Sequence, residues 1–169
     1  MKKLFAAILA LCLMLSFAVA EGMETINWED AEAKVNELGW TGEFYNIDAI
    51  GLTVWLPTGL NPAEATEEGR LAAFVSEDGT SYVVVDAVNA EGMSVELLYD
   101  SLKSNDGFSD VEMASANGLV FVVSKNVNEN YWSAALVDTN CNIIEFKVGP
   151  DEEGAKEVFS IIVASIQGI

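Results

Sequence analysis

The sequence predicts an α+β fold, a mostly antiparallel sheet of about six to eight strands covered by helices on both faces, and three observations carry that reading. Tyr82 to Val85 and Leu119 to Val123 are apolar at consecutive positions, so both faces of those strands need cover. Asp78-Gly79 and Asn117-Gly118 each separate two strand-like runs, and both dipeptides accept the positive φ angles of tight hairpins. Three other segments repeat apolar residues at helical spacing.

The first of these segments follows Asn27, a capping residue, with Trp28, Ala31, Val35 and Leu38 on one face and Gly39 at the stop position. Residues 43–56 then become β-branched and aromatic, with a turn near Asp48 and a stop at Pro57, as expected of a hairpin. Residues 57–69 read as a connector, in which Asn61, Pro62 and Gly69 stand at the cap, first-turn and stop positions of a short helix. Strands over 70–76 and 81–88 precede a helix over 94–103, whose apolar face is Val95, Leu98, Tyr99 and Leu102.

A four-strand meander follows over 110–116, 119–124, 131–138 and 142–148. In its last strand Ile144, Phe146 and Val148 alternate with Glu145 and Lys147, the pattern of one wetter face and a place near an edge. The closing helix, over 151–166, carries a wide stripe of Ala155, Val158, Phe159, Ile162, Val163 and Ile166, with Asp151, Glu152 and Glu153 placed to complement its dipole.

The N-terminus has the form of a secretory signal. Lys2 and Lys3 precede an apolar run, and Ala18-Val19-Ala20 offers a cleavage site before Glu21. The run is short of the roughly 20 apolar residues that span a bilayer. Residues 1–20 are therefore expected to be a removed leader and 21–169 one exported domain, secreted or extracytoplasmic, with no membrane insertion after processing. A lipid anchor on Cys12 is disfavoured because bulky Leu11 precedes it. Cys141 alone remains, so no intramolecular disulfide is expected and stability rests on the core.

Charge and composition exclude several functions. Without Lys2 and Lys3, 6 basic residues face 27 acidic ones, a formal charge of −21 that repels nucleic acid and anionic lipid. Histidine is absent, which removes the commonest general base and most zinc and copper sites. Nucleophile elbows, Ser-x-x-Lys pairs, Cys-x-x-Cys and Gly-rich phosphate loops are absent too.

What remains are weak candidates. Asn105, Asp106, Asp110 and Glu112 carry oxygens that suit calcium, but lack the spacing of a calcium loop and read as a polar turn around Gly107. Trp40, Phe44, Tyr45 and Tyr131-Trp132 offer a platform for sugar rings or a partner, although adjacent strand residues must point to opposite sides. Trp28 and Trp55 fall on buried faces. Arg70, the one arginine, is expected in a local ion pair.

The order of elements, with the early strand Gly51-Leu52-Thr53-Val54-Trp55-Leu56-Pro57, a central hairpin, a mid-chain helix, a meander and the terminal Phe159-Ser160-Ile161-Ile162 helix, resembles the PsbP/Mog-like fold group across nearly the whole exported part. The resemblance implies a binding scaffold shared by extrinsic photosystem subunits, a nuclear-transport factor that binds a small GTPase, and small exported bacterial proteins. It carries over no site residue, since the photosynthetic members use histidine at their metal contacts. No catalytic, cofactor-binding or metal-ligating residue is assigned. The expected function is a non-enzymatic interaction module that meets a protein at or near the cell envelope. The alternatives are a small-ligand or glycan binder using surface aromatics and, behind it, a carboxylate-based hydrolase.

Overall fold

In the computed structural model, residues 23–169 are described; the expected leader of residues 1–20, with Cys12, lies outside the described residues. Among the described residues, eleven strands and three helices follow in the order β1 (Glu24–Ile26), α1 (Trp28–Leu38), β2 (Gly42–Ile47), β3 (Leu52–Pro57), β4 (Leu60–Ala63), β5 (Arg70–Ser76), β6 (Tyr82–Asn89), α2 (Val95–Lys103), β7 (Phe108–Ala116), β8 (Leu119–Asn126), β9 (Tyr131–Val137), β10 (Asn142–Gly149), α3 (Ala155–Ser165) and β11 (Gln167–Gly168). They form an eight-stranded sheet, β1-β7-β8-β9-β10-β6-β5-β4, and a three-stranded sheet, β11-β3-β2. Among the described residues, only β1, on β7, pairs in parallel.

Local chemistry accounts for the boundaries. Asn27 accepts the Asp30 amide at 2.8 Å and Gly39, at φ 68°, ends α1. Ser94 caps α2. Asn117 and Gly118, at φ 50° and 80°, make the tight β7–β8 turn that Asn-Gly encodes.

The doubly apolar strands account for the layers. In β8, Phe121 faces a core with Val83, Val85, Phe146 and the α3 residues Phe159, Ile162 and Val163, while Val122 faces α2 through Leu98. One cover is a mixed layer of α3 and the small sheet, which contributes Ile47, Leu52, Val54 and Leu56 to the same core. The expected helix cover on that face is thus largely a second sheet. Outside it lies α1, joined through Val35, Trp55 and Ile161.

Three further expectations change. Residues 60–63 are the edge strand β4, not a helix, and Pro62 sits where an edge tolerates a missing donor. Strand β10 is central, between β9 and β6, so its polar face is not an edge signature. Helix α3 starts at Ala155 after Gly154, its only first-turn acid is Glu157, and Asp151 is engaged elsewhere.

Two hydroxyl and amide clamps tie α3 to both sheets. Buried Ser165 Oγ accepts the Trp55 amide at 2.8 Å and donates to the Ile162 carbonyl at 2.6 Å. Asn117 Nδ2 donates to the carbonyls of Ala164 and Ile166 at 2.9 and 2.8 Å. Ser165→Ala leaves a buried amide unpaired and is expected to cost about 1–3 kcal/mol, read as a lower urea midpoint at unchanged m. Asn117→Gly keeps the positive φ and loses only the clamp, so it is expected to destabilise less than Asn117→Ala.

Candidate functional site

Where α2 stops covering the large sheet, its outer face turns polar. Cross-strand register places Arg70 on β5 opposite Asp86 on β6, Asp86 opposite Glu145 on β10, and Lys147 on β10 opposite Ser133 on β9. Arg70 grips Asp86 through Nε at 2.7 Å and a second nitrogen at 3.4 Å, and reaches Glu67 at 2.7 Å. Lys147 Nζ lies 3.0 Å from Asp86 and 3.2 Å from Glu145, over the Tyr131 ring at 5.4 Å. Ser133 Oγ donates to Glu145 at 2.6 Å. The row ends at Ser124, fully buried, with no partner for its hydroxyl among the described residues.

The electrostatics of this row are those of a closed network. Burial opposes the charge on Asp86, but hydrogen bonds from Arg70 and Lys147 outweigh it and hold the carboxyl below its usual range. Burial likewise opposes charge on Lys147, and the neighbouring Glu145 and Asp86 more than compensate, pushing its ammonium above the lysine range. Both groups therefore move away from neutrality. Neither is tuned to shuttle a proton near pH 7.

On the opposite face, a pocket of about 360 Å³ opens between the β1–β7 edge and α3. Its floor includes Trp132, stacked on Phe159 at 5.7 Å, and its rim carries Glu24, Asp110, Glu112 and Lys156. Trp132 is fixed from behind by Asp151, which accepts the indole N–H at 2.7 Å and pairs with Lys125. The Lys125 and Trp132 hydrogen bonds hold the Asp151 carboxyl below its usual range. Lys156 Nζ stands 4.9 Å from the Trp132 ring.

The four calcium candidates are thereby divided. Asn105 closes a turn by accepting the Gly107 amide at 2.9 Å, Asp106 is exposed, and Asp110 and Glu112 belong to the pocket rim. Among the described residues, no group of three acids or thiols is arranged to hold a metal ion. Cys141 is half-buried in the β9–β10 turn, at φ 59°.

The aromatic candidates are divided too. Tyr131 and Trp132 are both buried, on opposite faces of β9. Tyr45 turns inward against Phe74 at 5.0 Å, its hydroxyl donating to Glu43. Phe44 turns outward, 44% exposed, edge-on to half-buried Trp28 at 5.2 Å. Trp40 borders a shallow groove with Pro57 and Val158. What survives of the platform is an aromatic shelf of Phe44 and Trp28 beside strand β2, with Trp55 beneath at 5.9 Å.

The sequence names Phe44, Asp110, Glu112 and Trp132 one by one but shows neither the open β2 edge nor the pocket, because an edge is defined by the strand that is missing beside it and the pocket joins residues far apart in the chain. The one available signal for the edge was the isolated hairpin over 43–56, which has no third strand beside it in sequence.

No protein-family model matches the chain, and no curated protein matches its sequence. Its fold does match solved structures. The cyanobacterial PsbP, CyanoP, from Synechocystis sp. PCC 6803 superposes with a TM-score of 0.55 at 14% identity, over 76% of this chain and 93% of that one. The Saccharomyces cerevisiae Ran-binding protein Mog1p gives 0.45 at 12% identity, over 75% and 95%. The fold is PsbP/Mog-like. At such identities the likeness describes the scaffold and leaves the site to be argued from this chain's own residues.

The ion-pair row makes a direct prediction. Lys147→Met removes the cation between Asp86 and Glu145, which keep only Arg70 and Ser133, and is expected to cost about 1–3 kcal/mol. Because the folded-state pKa of Asp86 is lowered, its contribution is complete above the usual carboxylate range of about 4 and is lost as pH falls through the folded value. Urea midpoints measured from neutral to acid pH are expected to fall less steeply in Asp86→Asn than in the parent.

Proposed function

We propose that this chain is an exported, non-enzymatic interaction module, a leader of residues 1–20 followed by one binding domain, that meets a protein at or near the cell envelope. The observation that supports it is the Phe44–Trp28 shelf beside uncovered β2, in a molecule whose partly buried charges are spent on one another. An exposed aromatic at the rim of a layer is the usual kind of contact anchor. Histidine is absent, and Asp86 and Lys147 are displaced away from neutrality, so neither of them supports acid–base catalysis. The net charge of −19 over the whole sequence favours a basic partner.

A small-ligand reading has one observation of its own, the pocket with an apolar floor and charges of both signs at its rim. It differs from a glycan platform, since Trp132 is buried there by Phe159 and not laid open.

The test uses a photoreactive phenylalanine analogue in place of Phe44 and, as control, of Val88, which is apolar and 59% exposed on the other face of the large sheet. In cells, the chain is expected in the extracytoplasmic fraction beginning at Glu21, with a discrete protein adduct from residue 44 and none from residue 88. Equal labelling at both positions, or no adduct at either, contradicts the proposal.

A further inference from the structure

The edges of the two sheets are not treated alike. An unpaired edge offers a row of backbone donors and acceptors to any extended chain, and proteins blunt such edges by shortness, proline, lysine or bulges. The large sheet ends in β1, three residues long, and in β4, four residues long and containing Pro62. The small sheet ends in β2, Gly-Glu-Phe-Tyr-Asn-Ile, six residues with no proline, no lysine and a continuous register on β3. Among the described residues nothing pairs with its outer side.

The register fixes which backbone groups face outward. The Thr58 amide bonds the Thr41 carbonyl, and the Trp55 amide points away from β2 to Ser165. In antiparallel alternation, bonded and non-bonded pairs follow one another, so Phe44, opposite Trp55, and its neighbours Gly42 and Asn46 direct their N–H and C=O groups to the free side. Gly42 keeps the strand tight on β3, because a Cβ there would collide with Leu56 and Trp55. Phe44 stands in the middle of that row.

The charge around the edge selects the occupant. Glu43 lies on β2, and α1, on the outer side of the same layer, exposes Glu29 and Glu32, while Asp30 turns the other way and lines a groove with Glu24 and Glu157. The one basic residue of α1, Lys34, is engaged by Glu37 and Glu157 at 3.4 and 3.5 Å. A second copy of this chain would bring the same acids against these, whereas a basic segment meets complementary charge.

We propose that the free edge of β2 takes up an extended, basic segment of a partner polypeptide as a fourth strand of the small sheet. Gly42, Phe44 and Asn46 supply the backbone hydrogen bonds, and Phe44 packs under the segment's apolar side chains. This deepens the interaction-module reading and rests on it.

The probe is a blocked eight-residue peptide alternating lysine and valine, compared with its glutamate counterpart and with a version N-methylated at alternate residues. Amide exchange of the isotopically labelled protein is followed by NMR. The lysine peptide is expected to slow exchange at Gly42, Phe44 and Asn46 by roughly tenfold or more, leaving Tyr45 and Ile47 unchanged, while the other two peptides protect nothing. Saturating lysine peptide that leaves those three amides exchanging freely, or equal protection by the glutamate peptide, overturns the proposal. Phe44→Pro removes one outward donor without touching the β3 ladder, which an edge tolerates, and is expected to abolish the protection that Phe44→Leu retains. If Phe44→Pro does not fold, the exchange map of the parent protein decides alone. The two failures separate: a protein adduct from residue 44 with unprotected edge amides contradicts strand addition only, and absence of the adduct contradicts the module itself.

Discussion

Everything in this molecule follows from strands that are apolar on both sides. Phe121 and Val122 are adjacent and both buried, as are Ala134 and Ala135, so one large sheet must be covered twice. One cover is built from α3 and the small sheet, held to the core by Phe159, Ile162, Val54 and Leu56, and locked by the Ser165 and Asn117 clamps. The other is α2, a helix of 9 residues whose Leu98 packs on Val122 and Ala135, with Val111, Val137 and Ile143 in the same cluster.

The short second cover explains the ion-pair row. Beyond α2, the outward positions of β5, β6, β9 and β10 are Arg70, Asp86, Ser133, Glu145 and Lys147, each answering its cross-strand or diagonal neighbour. Such partly buried pairs contribute little net stability relative to apolar replacements, since desolvation offsets much of the attraction, but they penalise any register that separates them. The charges thus complete the sheet. In the proposed reading, contact with other molecules falls to the small sheet, where the outer side of β2 has neither a paired strand among the described residues nor the blunting devices seen at both ends of the large sheet.

Much of the fold is legible in the sequence because it is local. Asn27 and Gly39 bound α1, Ser94 caps α2, and Asn117-Gly118 sets the β7–β8 register through backbone preferences that a few residues decide. The rest depends on partners distant in the chain. Residues 60–63 look like turn formers until β5 lies beside them, and Glu145 and Lys147 look like an edge face until Asp86 and Arg70 arrive from β6 and β5. Asp151 would serve a helix dipole if Trp132 and Lys125 did not claim it. The candidate site was half legible: alternation alone separates Tyr131 from Trp132 and Phe44 from Tyr45, but only the packing tells that β9 is covered on both faces, burying the first pair, and that Tyr45 turns in against Phe74 and leaves Phe44 outside.

The division of labour between a charged row that serves the fold and a bare edge that serves contact can be tested in one variant. Arg70→Met, Asp86→Leu, Glu145→Leu and Lys147→Met together replace the row by apolar side chains. The structure predicts a folded protein of equal or greater thermal stability, since well-packed apolar replacements of buried pairs are commonly neutral or stabilising, with peptide protection of Gly42, Phe44 and Asn46 unchanged. A folded variant that no longer binds at β2 would contradict it.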